Sequence, residues 1–498
     1  MRIRNVLPVF AVALMIGLVA APGSAAGVRS VASPFLRVGP QAIPANVAGP
    51  GYGLFGCQVG QSVGACYDPY QMRHAYNIDT LIGAGYDGKG KTIVIIDAYQ
   101  SPNIVQQLNF YNSFYGLPSL NGLGNPASHR LGTFTQVAPD GLTTFDPSDG
   151  NMVGWAEEIS LDVLWAHAIA PGANIVLVLA KSNDDADILS ATKYAVHHHL
   201  GDVISQSFGE NESCMDPDLL AQQHKVFAEA TMKGITLFAS TGDEGAAQTT
   251  CDGNSWVKAA SSPASDPLVT AVGGTELHAT DYTNPAPGTY QGEIAWNEGP
   301  PFGDFQAFFD FTSATGGGFS VLYDEPSYQQ GTIHGHKQRG VGDVSYNAAI
   351  LHGVLTYLDI PNNFGIAAGF YRFGGTSAGS PQWAAILAIA DQKAGHNLGF
   401  INKALYHIGQ AQKHYSASFH DVTSGNNSAV EPDASFNPVE VLGFRAGPGW
   451  DATTGLGSPR TNGLVDYLIQ FVSPGGDSED SEPHGHGKPS KPGHAKPH

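Results

Sequence analysis

One serine stands in a run of small residues that precedes an apolar segment. Residues 373–381 read FGGTSAGSP, and Trp383, Ile386 and Leu387 follow the serine at Ser377. A serine at a helix N-terminus lies near backbone N–H groups that can stabilise an anion, as a nucleophile requires. Serine is also a common helix N-cap without any chemistry. The segment therefore leaves both interpretations open, and a catalytic serine would need a general base.

Histidine is the usual base, and the chain has 19 of them. None lies in the Gly-His-Gly-Thr-His type of segment that is typical of histidine-dependent serine peptidases. His197–His199 ends a predicted helix, where cations suit the helix dipole, and is expected at the surface. Four more lie near the C-terminus, at His484, His486, His494 and His498. The histidines therefore supply no convincing base.

Carboxylates form a better constellation. Glu158 and Asp162 are four residues apart on a predicted helix, so their side chains share one face. Two like charges there raise the pKa of at least one group, and a pair that shares a proton can act as a general base in acid. A solvated acidic face is the alternative. Apolar neighbours such as Ile159, Leu161 and Trp165 instead predict that much of this helix is buried.

Strand and helix patterns alternate around these residues. The predicted strands are 91–96, 174–180, 202–207, 235–240 and 268–272, and the predicted helices are 104–114, 154–169, 185–199, 218–233 and 377–394. Such alternation indicates an α/β domain with a mostly parallel central sheet that is covered by helices on both faces. Residues 280–350 are predicted to be irregular. No internal repeat is present.

Composition sets limits on function. The 498 residues include 44 Asp and Glu against 24 Lys and Arg, a net charge of −20, which argues against a nucleic-acid binder. Hydrophobic residues make up 42% and charged residues only 14%, so the chain can bury a large core.

The N-terminus is typical of a secretory signal. Arg2 and Arg4 precede the apolar stretch Val6 to Ala20, and small residues at 24–26 offer a cleavage site. An uncleaved anchor is the alternative, although the stretch is short of the ~20 residues that span a bilayer. The predicted organisation is a signal at 1–26, a Pro/Gly-rich leader at 27–60, one domain at 61–472 and a disordered tail at 473–498.

Four cysteines fit an exported protein. They allow three pairings, of which we favour Cys57–Cys66 and Cys214–Cys251 because each pair is nearest in sequence. No CxxC motif exists, so a zinc or redox site at these cysteines is not expected.

Taken together, these segments resemble the sedolisin, or serine-carboxyl peptidase, family, from about Tyr67 to Tyr467. The motifs occur in the family's order: Glu158-x-x-x-Asp162 with Ala170-Pro171-Gly172-Ala173, Ser205-Gln-Ser207-Phe208-Gly209, Ser240-Thr-Gly242-Asp243, Ser262-Pro263-Ala264-Ser265, Gly273-Gly274-Thr275, Trp296-Asn297, Gly316-Gly317-Gly318-Phe319-Ser320, Gly342-Asp343-Val344-Ser345 and Gly375-Thr376-Ser377-Ala378. The resemblance implies a subtilisin-like three-layer α/β fold and a secreted peptidase that acts on polypeptides in acid, and we expect it to be a monomer.

The resemblance also implies roles. Ser377 would attack the scissile carbonyl, Glu158 would take its proton, and Asp162 would hold and tune Glu158. Asp243, kept protonated, would donate a hydrogen bond to the oxyanion together with the backbone N–H of Ser377. The substrate would bind as an added strand along Ser207, Phe208 and Gly209.

A structural calcium ion is implied near the C-terminus. The segments around Asp421 and Val422 and around Gly447, Gly449 and Asp451 resemble the family's calcium site. Carboxylates and carbonyls are the oxygen ligands that Ca²⁺ prefers. Two Asx turns without a metal are the alternative.

Two departures bear on this interpretation. Most relatives carry a long folded prodomain, whereas only residues 27–60 separate the signal from the match, which puts the usual folding assistance and acid-triggered autoprocessing in question. Phe208 stands where relatives often have Trp, so the hydrogen-bond network behind Glu158 is expected to be shorter. Asp97 ends a strand as a subtilisin-type aspartate would, but without a suitable histidine it is interpreted as a strand-end residue lining the cleft.

The alternative function is a non-catalytic protein-binding module, and a neutral-pH subtilase is disfavoured.

Overall fold

The computed structural model describes residues 53–124, 128, 131–298 and 312–472, together with the backbone of 33–34, 37–41 and 44–45. The predicted signal peptide and tail lie outside the described residues. No helix within the described part of the chain is both long and apolar enough to cross a membrane.

Ten α-helices are described. They are α1 (Pro69–Ala75), α2 (Ile78–Gly83), α3 (Ile104–Tyr115), α4 (Gly150–Ile169), α5 (Asp185–His197), α6 (Pro217–Met232), α7 (Gly379–Ala394), α8 (Asn402–Gln410), α9 (Gln412–Ser418) and α10 (Thr461–Val472). Short 3₁₀ turns are formed by Gly56–Gln58 and Thr376–Ala378.

The strands are numbered in chain order. They are β1 (Ser33–Pro34), β2 (Arg37–Gln41), β3 (Pro44–Ala45), β4 (Leu54–Phe55), β5 (Ala65–Tyr67), β6 (Thr92–Ala98), β7 (Phe134–Val137), β8 (Asn174–Ala180), β9 (Val203–Gln206), β10 (Phe208–Asn211), β11 (Thr236–Ser240), β12 (Ala247–Thr249), β13 (Trp256–Lys258), β14 (Ser261–Ser262), β15 (Thr270–Ala279), β16 (Tyr290–Ala295), β17 (Asn297–Glu298), β18 (Ser313–Ala314), β19 (Gly318–Asp324), β20 (Gln338–Val341), β21 (Val344–Asn347), β22 (His352–Leu358), β23 (Gly369–Gly374), β24 (Phe419–His420), β25 (Ala429–Pro432), β26 (Pro438–Val441) and β27 (Ser458–Pro459).

The central sheet has eight strands. Seven follow the order β16-β15-β11-β9-β6-β8-β7, and β21 also pairs with β15. All of these pairings are parallel except that of β16 with β15. The predicted α/β class with a mostly parallel sheet is therefore confirmed.

Strand β6 shows how the sheet is buried on both faces. Ile93 and Ile95 pack into the core formed with α4 and α7, whereas Val94 and Ile96 pack into the core formed with α5 and α6. Side chains alternate between the faces of a strand, so an unbroken apolar run needs helices on both sides. The result is a three-layer arrangement with β6 at its centre.

Two disulfides have the predicted pairing. Cys57 is bonded to Cys66 and Cys214 to Cys251. The first closes a loop of the segment that leads into β5, and the second spans the segment that carries α6 and β11.

The prediction for residues 280–350 was wrong in part. Strands β16, β17 and β18 to β21 lie in the described residues of this stretch. Most are short and pair with distant segments, as β21 does with β15, so local periodicity gives no strong signal for them. Strand β15 also runs to Ala279, seven residues beyond the predicted end at 272.

Candidate active site

Helix α4 places two carboxyl groups inside the protein. Its first turn is capped by Asp149, whose side chain accepts hydrogen bonds from the backbone N–H groups of Asn151 and Met152. The helix is rich in apolar residues around its circumference and is buried along most of its length. Glu158 and Asp162 are both fully buried on it, which excludes the solvated acidic face.

Ser377 lies in the turn between β23 and α7. Gly375 has a φ of 99°, a left-handed value that favours glycine, and the chain then enters the 3₁₀ turn of Thr376–Ala378. The Ser377 side chain is buried, and its Oγ donates a hydrogen bond to the carbonyl oxygen of Ser207 at 3.3 Å. Helix α7 begins at Gly379, so Ser377 precedes the helix rather than opening it.

The Glu158 carboxyl lies against the Ser377 hydroxyl. Burial raises the pKa of Glu158 well above its usual range, the carboxyl groups of Asp162 and Asp97 raise it further, and the Ser377 hydroxyl lowers it by hydrogen bonding. The contact is loose, because neither oxygen of Glu158 forms a well-aligned hydrogen bond with the described residues. Such contacts commonly tighten only when a substrate binds.

Asp162 and Asp97 extend this carboxyl cluster. Burial raises the pKa of Asp162 to about 8, while hydrogen bonding to Ser207 and Glu158 opposes the shift. Burial also raises the pKa of Asp97 well above its usual range, and the charge of Asp162 adds to the shift. Three buried carboxyl groups so close together cannot all be ionised, so protons are retained among them.

Asp243 follows strand β11 and is almost fully buried. Its Oδ1 accepts hydrogen bonds from the backbone N–H of Thr376 at 2.8 Å and from the Thr376 hydroxyl at 2.9 Å. The charge of Asp243 is also felt by Glu158. The carboxyl group therefore lies at the same turn as Ser377 and within electrostatic reach of the cluster on helix α4.

Strand β10 lies beside this site and is paired on both sides. Gly209 and Phe208 pair in antiparallel register with Ser33 and Pro34 of β1, while the other side of β10 pairs with β14. A segment of the chain itself thus occupies the edge at which a peptide strand could be added. The Phe208 ring packs against Trp155 of helix α4, with ring centroids 5.9 Å apart.

The five residues predicted to hold calcium are brought together by two loops. Asp421 Oδ1 accepts hydrogen bonds from the backbone N–H of Gly449 and from the Tyr415 hydroxyl, at 3.1 and 3.0 Å. Asp451 Oδ2 accepts from the backbone N–H of Gly447 at 3.1 Å. No described lysine, arginine or histidine forms an ion pair with either carboxylate. The two loops thus offer carboxylate and carbonyl oxygens whose negative charge no described cationic side chain neutralises. Such a set of ligands suits a hard cation.

A hydroxyl of the second loop links the two segments. Thr454 Oγ1 lies 3.0 Å from Asp451 Oδ2 and 3.4 Å from the carbonyl oxygen of Val422. All five predicted residues therefore lie in one neighbourhood, which is the minimum that a shared metal requires.

Sequence reasoning undervalued three residues. Asp97 is fully buried beside Asp162, Trp155 packs behind the substrate edge, and Thr376 binds Asp243. Asp97 lies within β6 rather than at its last residue, and its place in an apolar run, KTIVIIDA, was the available signal. The histidine run lies where it was predicted, with α5 ending at His197.

Comparison with known proteins places this arrangement in a family. The family model described as "Subtilase family" matches residues 150–404, about half of the chain. Kumamolisin from Bacillus sp. (strain MN-32) is 32% identical over 419 residues, which are 82% of this chain and 64% of the relative. Sedolisin from Pseudomonas sp. (strain 101) is 29% identical over 460 residues, 90% of this chain and 67% of the relative.

A solved structure gives the same result. Pseudomonas sedolisin, described as a serine-carboxyl proteinase complexed with two molecules of pseudo-iodotyrostatin, matches with a TM-score of 0.66 and 27% identity. The match covers 83% of this chain and 100% of that chain. The chain therefore belongs to the subtilase family and has the subtilisin-like fold of its sedolisin group. It spans about two thirds of the length of the two curated relatives named above.

Proposed function

We propose that the protein is a secreted serine-carboxyl endopeptidase that hydrolyses peptide bonds at acidic pH. The observation that carries the proposal is the contact between the Ser377 hydroxyl and a buried carboxyl group, Glu158, whose pKa is raised. Buried carboxyl groups that share protons, as Glu158, Asp162 and Asp97 do, can take up and return a proton in acid, where an imidazole would be fully protonated. The similarity to kumamolisin and sedolisin supports the same chemistry.

In the acylation step, Ser377 Oγ attacks the carbonyl carbon of the substrate and forms a C–O bond. The hydroxyl proton moves to Glu158, which Asp162 holds in position. Collapse of the tetrahedral intermediate breaks the C–N bond, and Glu158 returns the proton to the leaving amine. Water then attacks the acyl ester by the same route in reverse, which restores the Ser377 hydroxyl.

Asp243 is proposed to stabilise the oxyanion of both intermediates. Oδ1 already accepts two hydrogen bonds from Thr376, so the donated proton would be carried on Oδ2. A carboxyl group donates a hydrogen bond only while it is neutral, so this role confines activity to low pH. The backbone N–H of Ser377 would supply the second donor.

Substrate is proposed to bind as a strand along Ser207, Phe208 and Gly209. Main-chain hydrogen bonds of this kind provide affinity that does not depend on sequence. The pairing of Ser33 and Pro34 with Gly209 and Phe208 supports the proposal, because an antiparallel segment of the chain already pairs with these residues.

A structural calcium ion is proposed at the loops of Asp421 and Asp451. The two carboxylates, with carbonyl oxygens of Val422, Gly447 and Gly449, would hold it. The ion would neutralise the paired negative charge and fix the two loops to each other. It takes no part in the peptidase step.

Export is supported by the N-terminal signal pattern and by the two disulfides, which are typical of oxidising compartments. The protein is proposed to act as a monomer on polypeptides outside the cell.

The test is cleavage of an unfolded protein substrate across pH ~3–8 by wild type, Ser377→Ala and Glu158→Gln, since proton transfer sets the pH profile. Two matched controls are Ser380→Ala, whose hydroxyl contacts Ser205 instead, and Glu157→Gln, from the residue beside Glu158. We expect activity only in acid, lost in the first two variants and kept in the controls. Activity confined to neutral pH would contradict the carboxyl mechanism, and folded wild type without Ser377-dependent cleavage would favour a binding module.

A further inference from the structure

Two histidines and a glutamate converge away from the proposed catalytic residues. Glu276 and His278 are two residues apart on β15, so their side chains lie on the same face of the strand. His352 opens β22, which packs beside β15. One ligand atom of each side chain lies within 4.8 Å of those of the other two.

The distances match those around a small metal ion. His278 Nε2 lies 3.3 Å and His352 Nδ1 lies 2.9 Å from the same oxygen, Glu276 Oε1. Two ligands bound tetrahedrally at ~2.0–2.1 Å are separated by ~3.3 Å, so small rotations would place all three atoms around one ion. The two imidazole rings already meet edge to face, with centroids 4.7 Å apart.

The cluster is open to solvent on one side and anchored on the other. The side chain of His278 is 45% exposed, whereas those of Glu276 and His352 are 17% and 18% exposed. The carbonyl oxygen of His352 accepts a hydrogen bond from Asn347, and its strand pairs with Ala65 beside the Cys57–Cys66 disulfide. Ligands on paired strands are held more rigidly than ligands on loops.

Two further carboxyl groups lie close enough to interact with the cluster. Glu293 interacts electrostatically with His278, and Glu298 interacts with Glu276. A bound cation would therefore neutralise part of a local excess of carboxylates, in addition to accepting the imidazole lone pairs.

We propose that Glu276, His278 and His352 bind one divalent transition-metal ion, with Zn²⁺ as the reference ion. Two imidazoles and one carboxylate are a ligand set that Zn²⁺ prefers, and the exposed side leaves the fourth position to water. The ion joins β15 to β22 and adds a cross-link next to the Cys57–Cys66 loop. This site is separate from the proposed calcium loops, whose ligands are all oxygen atoms.

The test is a Zn²⁺ titration of the full chain at pH ~7, in competition with a chromophoric chelator, because deprotonated imidazoles are needed for binding. Wild type and the control His334→Ala, from an exposed histidine outside the cluster, are expected to bind one equivalent tightly. His278→Ala and His352→Gln are expected to bind it at least about tenfold more weakly, since even the outer partners of metal ligands contribute that much. Any weak Zn²⁺ binding by the histidines near the C-terminus is expected to be the same in all four proteins, so it does not affect their comparison.

Two further measurements distinguish a metal site from a simple ion-pair cluster. Co²⁺ should give the intense visible absorption of a tetrahedral site in wild type, and His278→Ala should lose it. The melting temperature should rise with Zn²⁺ in wild type and should not rise in His278→Ala. Wild type without a tight site, or a folded His278→Ala that binds Zn²⁺ as wild type does, would overturn the proposal.

Discussion

Asp243 is bonded to the residue immediately before the proposed nucleophile. Its Oδ1 accepts hydrogen bonds from both the backbone N–H and the hydroxyl of Thr376, at 2.8 and 2.9 Å. The same turn presents Ser377, so the carboxyl group and the serine are positioned by one short piece of backbone. Any change in the orientation of Asp243 is therefore transmitted to the turn that holds the serine.

Asp243 accepts hydrogen bonds from Thr376 and is proposed to donate one to the oxyanion, and substitutions should test the donor role. We expect Asp243→Ala to lower kcat about 10²–10³-fold, as the loss of one oxyanion donor does elsewhere. Asp243→Asn should keep more activity than Asp243→Ala and should extend it to higher pH, because an amide donates a hydrogen bond at any pH. The measurement is a kcat profile against pH for the three proteins. A kcat of Asp243→Ala close to that of wild type would contradict the oxyanion role.

The carboxyl cluster should make the fold more stable in acid. Burial raises the pKa of Asp162 to about 8, above its usual value in the unfolded chain. The folded state therefore binds the proton more tightly, so the contribution to stability is complete below pH ~4 and is lost as the pH rises towards ~8. Asp162→Asn is neutral at every pH, so its free energy of unfolding should fall less than that of wild type between pH ~4 and ~8. The expected difference is ~1.4 kcal/mol for each unit by which the pKa of Asp162 is raised.

Urea unfolding at both ends of this pH range measures the effect. Asp140→Asn is a suitable control, because that carboxylate is exposed. Equal pH dependence in wild type and Asp162→Asn would mean that Asp162 is not protonated in the fold.

Much of the scaffold could be predicted because it is encoded locally. The strand at 174–180 was predicted with its observed bounds, since a short apolar run between turn residues is a strong signal. The i, i+4 spacing likewise brought Glu158 and Asp162 to one face of α4, and their apolar neighbours indicated burial.

The remaining features depend on contacts between distant residues. Asp97 approaches Asp162 only because β6 lies beneath α4, and nothing in the local pattern reports that contact. His352 is far along the chain from Glu276, so their cluster could not be inferred from spacing. The pairing of Ser33 and Pro34 with β10 is equally non-local, and a Pro-containing segment gives no strand signal.

A buried ion pair supports the sheet below the site. Arg339 and Asp343 are both fully buried and contact each other at 2.6 Å, and Tyr406 donates a hydrogen bond to the same carboxylate. Arg339→Met should reduce the free energy of unfolding by ~3–5 kcal/mol, because it leaves a buried charge without its partner. Lys393→Met, which breaks the more exposed pair with Asp466, should cost less than ~1 kcal/mol. Similar losses in the two variants, measured by chemical denaturation, would be inconsistent with this difference in burial.

The proposed calcium ion can be tested by removal. A chelator should lower the melting temperature of wild type, because a ligand present at 100 times its Kd adds ~2.7 kcal/mol to the stability of the folded state. Asp451→Ala should start from the lower value and should not respond to the chelator. Asp433→Ala is the control, since Asp433 organises a loop through hydrogen bonds to Ser435 and Asn437. A chelator that leaves wild type unchanged would count against the ion.

The pairing of β1 with β10 predicts competition with substrate. Ser33 and Pro34 occupy the edge of Gly209 and Phe208, and the opposite edge is taken by β14, so a substrate strand has to displace β1. A variant that lacks residues 27–34 loses β1 but keeps β2, which pairs with β23 next to the Ser377 turn, so it should show a KM several-fold lower than that of the full chain with kcat nearly unchanged. A synthetic peptide of residues 31–42 should inhibit this variant competitively, and a peptide of the same composition in scrambled order should not. Strand β1 is expected to compete only for the main-chain hydrogen bonds that bind substrate, so its removal should change KM. A change in kcat alone would contradict this and would show that β1 acts on the turn of Ser377 instead.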